Sequence, residues 1–327
     1  MQNVLVGIIM QRIELSILDE DVVKIVSNIW KFDTQSIDYI DTGSTFAFRL
    51  VNHLGEKAFL KIYIKSKPSD PVENVTPASL QRICSVLDRL RTEHNMLQIP
   101  MIAKTTSTGD YFHEENDLIL MLSSYLEGSH ASSRYELTGA SSKQLAALFT
   151  QLHYVPASEY PEIKCERFNI DYALGIEQLL NVNNVANIKD KSICQKISAT
   201  RDGLYKCVET LKDYQTKFSK LPMEFVLTHG DAHHCNVLQN ELEVFLIDWD
   251  NIKIGPRERD LWFYELAPII DDYLALNPNL KINHDLCLYY QTQRFLEDLR
   301  IAIESNDSQS LLNHWGWLES YDRICET

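Results

Sequence analysis

The 327-residue sequence is informative first for what it lacks. No apolar run approaches the roughly eighteen residues that a membrane span needs. The apolar opening MQNVLVGIIM has neither a basic start nor a small-residue cleavage site, so it is expected to be a short strand or added segment rather than a signal peptide. A helical pattern begins soon after Met10, which makes Met10 a candidate natural start. The seven cysteines (Cys84, Cys165, Cys194, Cys207, Cys235, Cys287 and Cys325) form no close pair and are odd in number. That pattern fits free thiols in a reducing cytoplasm. Basic residues are outnumbered, 31 against 46, for a net charge of −15, which argues against binding nucleic acid through its phosphates. Internal repeats, a low-complexity linker and the G-x-S-x-G elbow of Ser–His–Asp hydrolases are all missing.

What charge there is lies unevenly. From Leu221 to the end there are 19 acidic against 7 basic residues, whereas the first 220 residues hold 27 against 24. A pocket in that last third would attract cations.

The period of the apolar residues changes along the chain. SILDEDVVKIVSNIWKF (16–32) has helical spacing, with acids in its first turn where the helix dipole favours them. Residues 36–65 read as three short strands, broken at Thr42–Gly43–Ser44 and turning at His53–Glu56. Thr76–Pro77 is an N-cap followed by proline at the first helical position. A further hairpin is expected over 100–128 with its turn at Thr108–Gly109–Asp110, and from Gly139 onward the pattern is mostly helical. The expected organisation is α+β, with a β-rich N-terminal lobe over 1–123 and a larger helical lobe over 124–327.

The chemistry concentrates in LTHGDAHHCNVL (227–238). Asp231 and Asn236 are five residues apart, the spacing of a loop in which aspartate accepts a hydroxyl proton and asparagine holds magnesium. Asp248 ends the apolar strand of EVFLIDWD, where a carboxylate could hold the same ion. Lys61, inside the apolar strand AFLKIY, needs a charge partner such as a nucleotide phosphate. Gly43 and Ser44 lie between two strands, where backbone amides could close over phosphates. A zinc cage of His229, His233, His234 and Cys235 does not match a paired zinc knuckle, and no second Cys/His cluster completes it.

HGDAHHCN followed by IDWD resembles the HGDxxxxN and IDxD signature of the aminoglycoside phosphotransferase family, which has the protein-kinase-like two-lobe fold. LIDWDNIKIGPRERDLWF (246–263) is similar to the spectinomycin phosphotransferase branch. The resemblance implies that Asp231 is the catalytic base, that Asn236 and Asp248 hold Mg2+, and that Lys61 pairs with the phosphates of ATP or GTP. It also implies a nucleotide-binding hinge at Ser123–Ser124–Tyr125–Leu126, with His229 and Asp260 bracing the catalytic loop. Two departures stand out. The helix PASLQRICSVL lacks the glutamate that relatives pair with the lysine, leaving Glu73 as the nearest substitute. The loop DTGSTFAF has one glycine where relatives often have two, so phosphate cover would rely on Ser44 and Thr45.

The expected activity is ATP- or GTP-dependent phosphorylation of a small-molecule hydroxyl in the cytoplasm, without nucleic-acid or membrane partners. The acids Asp250, Glu265, Asp271 and Asp272 suggest a cationic acceptor, an aminoglycoside or aminocyclitol antibiotic. Two alternatives stand beside it, a metabolic kinase for choline, homoserine or a thio-sugar and a pseudokinase-like nucleotide-binding module. Only eleven residues separate Asp248 from Asp260, too few for a recognisable activation segment.

Overall fold

The change of period along the first third of the chain becomes a helix followed by a sheet. In the structure, a computed structural model, residues 19–41, 45–65, 75–180 and 191–305 are described. The Asp19–Trp30 helix has Asp19, Glu20 and Asp21 in its first turn and buries Val22, Val26 and Trp30. Five antiparallel strands follow: β1 (Thr34–Asp41), β2 (Phe46–Asn52), β3 (Lys57–Ile64), β4 (His113–Glu115) and β5 (Leu118–Ser124). Their order across the sheet is β1-β2-β3-β5-β4. Because side chains alternate across a strand, Phe46, Phe48, Leu50, Leu60, Ile62, Leu120 and Leu122 share one face and bury against Val22, Val26 and Trp30. Each such side chain contributes roughly 1.5–3 kcal/mol by leaving water.

The Pro77–Thr92 helix begins as its cap residues dictate. The Thr76 side chain accepts from Ser79 N, and the Ser79 hydroxyl oxygen accepts from Thr76 N. The expected turn at Thr108–Asp110 needs correction. The hairpin is β4–β5, closed at Asn116–Asp117 with Asn116 at φ +53°. Gly109 (φ +76°) closes an earlier loop, where its N–H donates to Thr105 C=O. That glycine was the stronger local signal, but the chain ahead of it pairs with the sheet as an isolated bridge, Ile102–Ser123, so no ladder flanks the loop.

The chain divides into two compact units. One comprises the residues up to Ala131 together with Cys235–Asp250; the other comprises Ser132–His234 and the chain from Asn251 onward. The expected lobe boundary at 123/124 thus falls inside the first unit, which also takes in the hairpin Val237–Gln239/Val244–Leu246. In the second unit, the Gly139–Tyr154 helix packs on the Pro268–Leu276 helix and on the Val226–Thr228 strand, which pairs with Lys253–Gly255. The His284–Ser305 helix lies against the Asp171–Leu179 and Arg201–Phe218 helices. Their shared core includes Phe168, Phe218 and Tyr289, with ring centroids 5.4–5.8 Å apart. Among the described residues, no helix is long and apolar enough to cross a membrane.

Candidate active site

In the first unit the site grows from the alternation of β3. Leu60 and Ile62 face the Asp19–Trp30 helix, so Lys61 and Tyr63 face the other way. On that face Cys84 of the Pro77–Thr92 helix touches Met121, the cross-strand neighbour of Lys61. Lys61 is 7% exposed, and a buried ammonium must be paired. Its Nζ lies 2.7 Å from Asp248 Oδ1 and 2.6 Å from Asp250 Oδ2. Burial opposes its charge, but Asp248 and Asp250 outweigh burial and hold Lys61 well above its ordinary pKa. The Tyr63 hydroxyl, raised by burial and then by Asp250, donates to Asp250 Oδ1 at 3.1 Å. Burial also pushes the Cys84 thiol up to about 12, with Asp250 adding to it, so this thiol is inert.

The acids reach Lys61 through the geometry of one hairpin. Val237 pairs with Leu246, and Ile247 N–H donates to Asn236 C=O at 3.0 Å. Asn236 and Asp248 therefore leave the same end of the hairpin. Asp248 stands at φ +63°, a left-handed conformation that aspartate tolerates better than most residues. The next residue, Trp249, is buried and donates Nε1–H to Leu246 C=O at 2.9 Å, fixing the bend. Asn236 is 8% exposed and the Asp248 side chain 40%. Two hard oxygen donors on one hairpin end suit a magnesium ion.

The remaining nucleotide expectations fall unevenly. Gly43, Ser44 and Glu73 lie outside the described residues. Thr45 is buried at the start of β2. In the expected hinge, Ser123 is paired within the sheet, and Ser124 N–H donates to Met101 C=O at 2.8 Å. That leaves Tyr125 and Leu126, just beyond β5, as the hinge residues outside the ladder.

In the second unit the loop carrying Asp231 is held by its neighbours' backbone. The Asp260 carboxylate accepts from His229 N at 2.9 Å and from Gly230 N at 2.6 Å. It also accepts from His153 Nε2 at 3.2 Å. Burial alone would raise Asp260; the His153 hydrogen bond, the His229 imidazole and the Gly230 amide overcome it and hold Asp260 below its ordinary value. The Tyr273 hydroxyl, pushed up to about 12 mainly by burial, donates to His153 Nδ1 at 2.9 Å. Asp231 N–H donates to His229 Nδ1 at 3.2 Å, and the Tyr264 hydroxyl donates to Ala232 C=O at 2.6 Å.

Gly230 is required twice over. Its φ is +85°, and a Cβ there would lie 1.7 Å from Arg259 Nη1. That guanidinium donates to Thr228 Oγ1 at 3.0 Å and lies 3.5 Å from Glu166 Oε2.

Sequence reasoning missed one residue at this loop. Arg294 on the His284–Ser305 helix sets Nη1 2.8 Å from Asp231 Oδ1 and Nε 2.9 Å from Asp298 Oδ1. No local motif marks it; the i, i+4 acid Asp298 was the only available signal. Three of the four acids expected at the acceptor have side-chain neighbours. Asp250 meets Lys61 and Tyr63, Glu265 accepts from His284 Nδ1 at 2.8 Å, and Asp272 accepts from the Ser142 hydroxyl at 2.5 Å. Asp271 is exposed on the Pro268–Leu276 helix. Among the described residues, the loop histidines and Cys235 do not gather three ligand atoms.

The sequence profile of the phosphotransferase enzyme family matches residues 42–265, more than half the chain. The chain belongs to the phosphotransferase enzyme family. Its fold is that of the aminoglycoside phosphotransferases, protein-kinase-like with an antiparallel N-terminal sheet and a helical remainder. It is similar to a spectinomycin phosphotransferase solved with ADP and spectinomycin, at 19% identity and a TM-score of 0.74, covering 93% of this chain and 94% of that one. An aminoglycoside 2″-phosphotransferase solved with GDP and kanamycin matches at 14% identity and a TM-score of 0.62, over 93% and 99% of the two chains. A macrolide 2'-phosphotransferase from Brachybacterium faecium matches at 14% and 0.55, over 90% and 96%. No curated protein matches the chain at a significant level. The expected family, fold and enzyme class therefore hold for this phosphotransferase.

Proposed function

We propose that this phosphotransferase moves the γ-phosphoryl group of ATP or GTP to a hydroxyl of a small molecule. The observation that carries the proposal is the Asp231 loop. Its backbone is fixed by a fully buried carboxylate, Asp260, through the two amides preceding Asp231. A base held in this way can meet an acceptor hydroxyl without reorganising, and positioning is most of what phosphoryl transfer asks of a protein. Asp231 orients the acceptor hydroxyl and receives its proton as the new O–P bond forms and the nucleoside diphosphate leaves. Lys61 meets the nucleotide phosphates, and Asp250 supplies the acid partner that the first three turns of the Pro77–Thr92 helix do not. Asn236 and Asp248 would hold magnesium, which when bound offsets the phosphate charge. Tyr125 and Leu126 would meet the base.

For the acceptor, likeness to the spectinomycin enzyme supports an aminocyclitol or aminoglycoside. A second reading keeps the chemistry and changes the acceptor to an uncharged metabolite alcohol. It is favoured by Arg294, a guanidinium 2.8 Å from Asp231, because an ammonium beside the reacting hydroxyl would meet a like charge. The test is γ-phosphate consumption with magnesium across spectinomycin, aminoglycosides, a macrolide, choline, homoserine and an uncharged thio-sugar. Turnover on an aminocyclitol or aminoglycoside supports the first acceptor class, and turnover confined to uncharged alcohols supports the second. Either activity should vanish in Asp231→Asn.

A further inference from the structure

We propose that Arg294 is a positioning residue for the base, aiming the Asp231 carboxylate while Asp260 fixes its backbone. This rests on the reading of Asp231 as the residue that receives the acceptor's proton. The two restraints act on different parts of the same residue. His229 N and Gly230 N are held by Asp260, and Asp231 N–H by His229 Nδ1. None of these bonds sets the side-chain torsions of Asp231. Arg294 does, with Nη1 2.8 Å from Oδ1.

The guanidinium suits this work because it is itself held. Its Nε donates to Asp298 Oδ1 at 2.9 Å, one helical turn further on, and the planar fork then presents its other edge in a set direction. Burial opposes the Arg294 charge, but Asp298, Asp231 and Glu297 outweigh it, so the group stays a cation. The side chain of Asp231 is 15% exposed and that of Arg294 35%. The other nearby ring, His233, has Nε2 3.7 Å from Asp231 Oδ2. Burial, only partly countered by Asp231, lowers the pKa of His233 and leaves it a neutral imidazole at neutral pH. Arg294 is therefore a permanent charge at the base, bound to one carboxylate oxygen while His233 faces the other. A torsional error of about an ångström at a reacting group can cost on the order of a hundredfold in rate.

The test uses the full chain with Mg-ATP, following phosphate release with water as acceptor and again with each alcohol of the panel. Wild type, Arg294→Met, Arg294→Lys, Asp298→Asn and Asp231→Asn are compared in kcat, KM for ATP and Tm. The proposal expects Arg294→Met to lower kcat about a hundredfold with KM for ATP within about twofold. Arg294→Lys should recover about tenfold of that loss, and Asp298→Asn should show a smaller fall in kcat of the same kind. Arg294→Met with wild-type kcat while Asp231→Asn is inactive would overturn the positioning role and leave the reading of Asp231 standing. Equal falls for Met and Lys that track a drop in Tm would also overturn it, reducing Arg294 to a structural tie. Asp231→Asn turning over like wild type, or wild type failing to turn over ATP, would overturn the underlying reading and this proposal with it.

Discussion

Two carboxylates in this enzyme, the half-buried Asp250 in one unit and the buried Asp260 in the other, are held by opposite means. Asp250 shares a single ammonium, Lys61, with a second carboxylate, Asp248. Burial raises its pKa, Lys61 opposes that, and the like charge of Asp248 pushes it up further. Asp260 is more deeply buried, yet its pKa is lowered, because His153 Nε2, His229 N and Gly230 N all donate to it. Burial alone therefore does not decide the state of a carboxylate; the donors aimed at its charged form and any like charge beside it do. The difference matches the proposed work of the two places. Asp260 is a fixed anchor for a loop. Lys61, Asp248 and Asp250 form a charge cluster that a nucleotide and its metal would rearrange.

Breaking the anchor should have the largest effect. Asp260→Ala strands the buried His229 amide and the half-buried Gly230 amide, and each unsatisfied buried donor costs about 1–3 kcal/mol. Urea unfolding should show a loss of about 3 kcal/mol, with turnover falling even in protein that remains folded. Gly230→Ala strains the same loop by another route, since its Cβ would fall 1.7 Å from Arg259 Nη1 at φ +85°. The left-handed conformation costs about 1–2 kcal/mol and the displaced guanidinium adds to it, so a loss of about 2 kcal/mol is expected. Asp250→Asn should be milder, about 1 kcal/mol or less by the same measurement, because Lys61 keeps Asp248. Its signature should be a severalfold rise in KM for ATP.

The smallest effect is the sharpest test of the comparison, since its sign reverses between the two acids. A lowered folded pKa gives stability above the unfolded pKa that is lost as pH falls through the folded value. The stability advantage of wild type over Asp260→Asn should therefore be constant from pH 7 to about 5 and shrink below about 4. A raised folded pKa gives stability that is full below the unfolded pKa and lost as pH rises through the folded value. The advantage over Asp250→Asn should thus grow as pH falls from neutrality toward about 4. Parallel slopes for the two variants, measured by urea unfolding at each pH, would show that the carboxylates are not held differently.

The readable parts of the molecule are those whose cause is local in the chain. The acidic first turn of the Asp19–Trp30 helix, the Thr76 cap and the alternation that isolates Lys61 all follow from neighbouring residues. So does the turn of the HGD loop, whose glycine is required by its φ of +85°. The parts that were not readable depend on long separations. Asp250 meets Lys61 across 189 positions, whereas composition alone grouped it with the acids expected at the acceptor. Arg294 reaches Asp231 across 63 positions from a helix that carries no motif. The misplaced hairpin turn is a different failure, in which a turn glycine outweighed the less conspicuous Asn116–Asp117.

Asp231 is proposed to serve the transfer step, and Lys61 with its acids to serve the nucleotide. Measuring ATP affinity and phosphate turnover side by side, in wild type and Asp231→Asn, tests this assignment most directly. The account predicts ATP binding within about twofold of wild type and turnover lowered by at least about 10²-fold, the usual scale of general-base loss. An Asp231→Asn variant that loses ATP binding in step with turnover, or that keeps both, would contradict it.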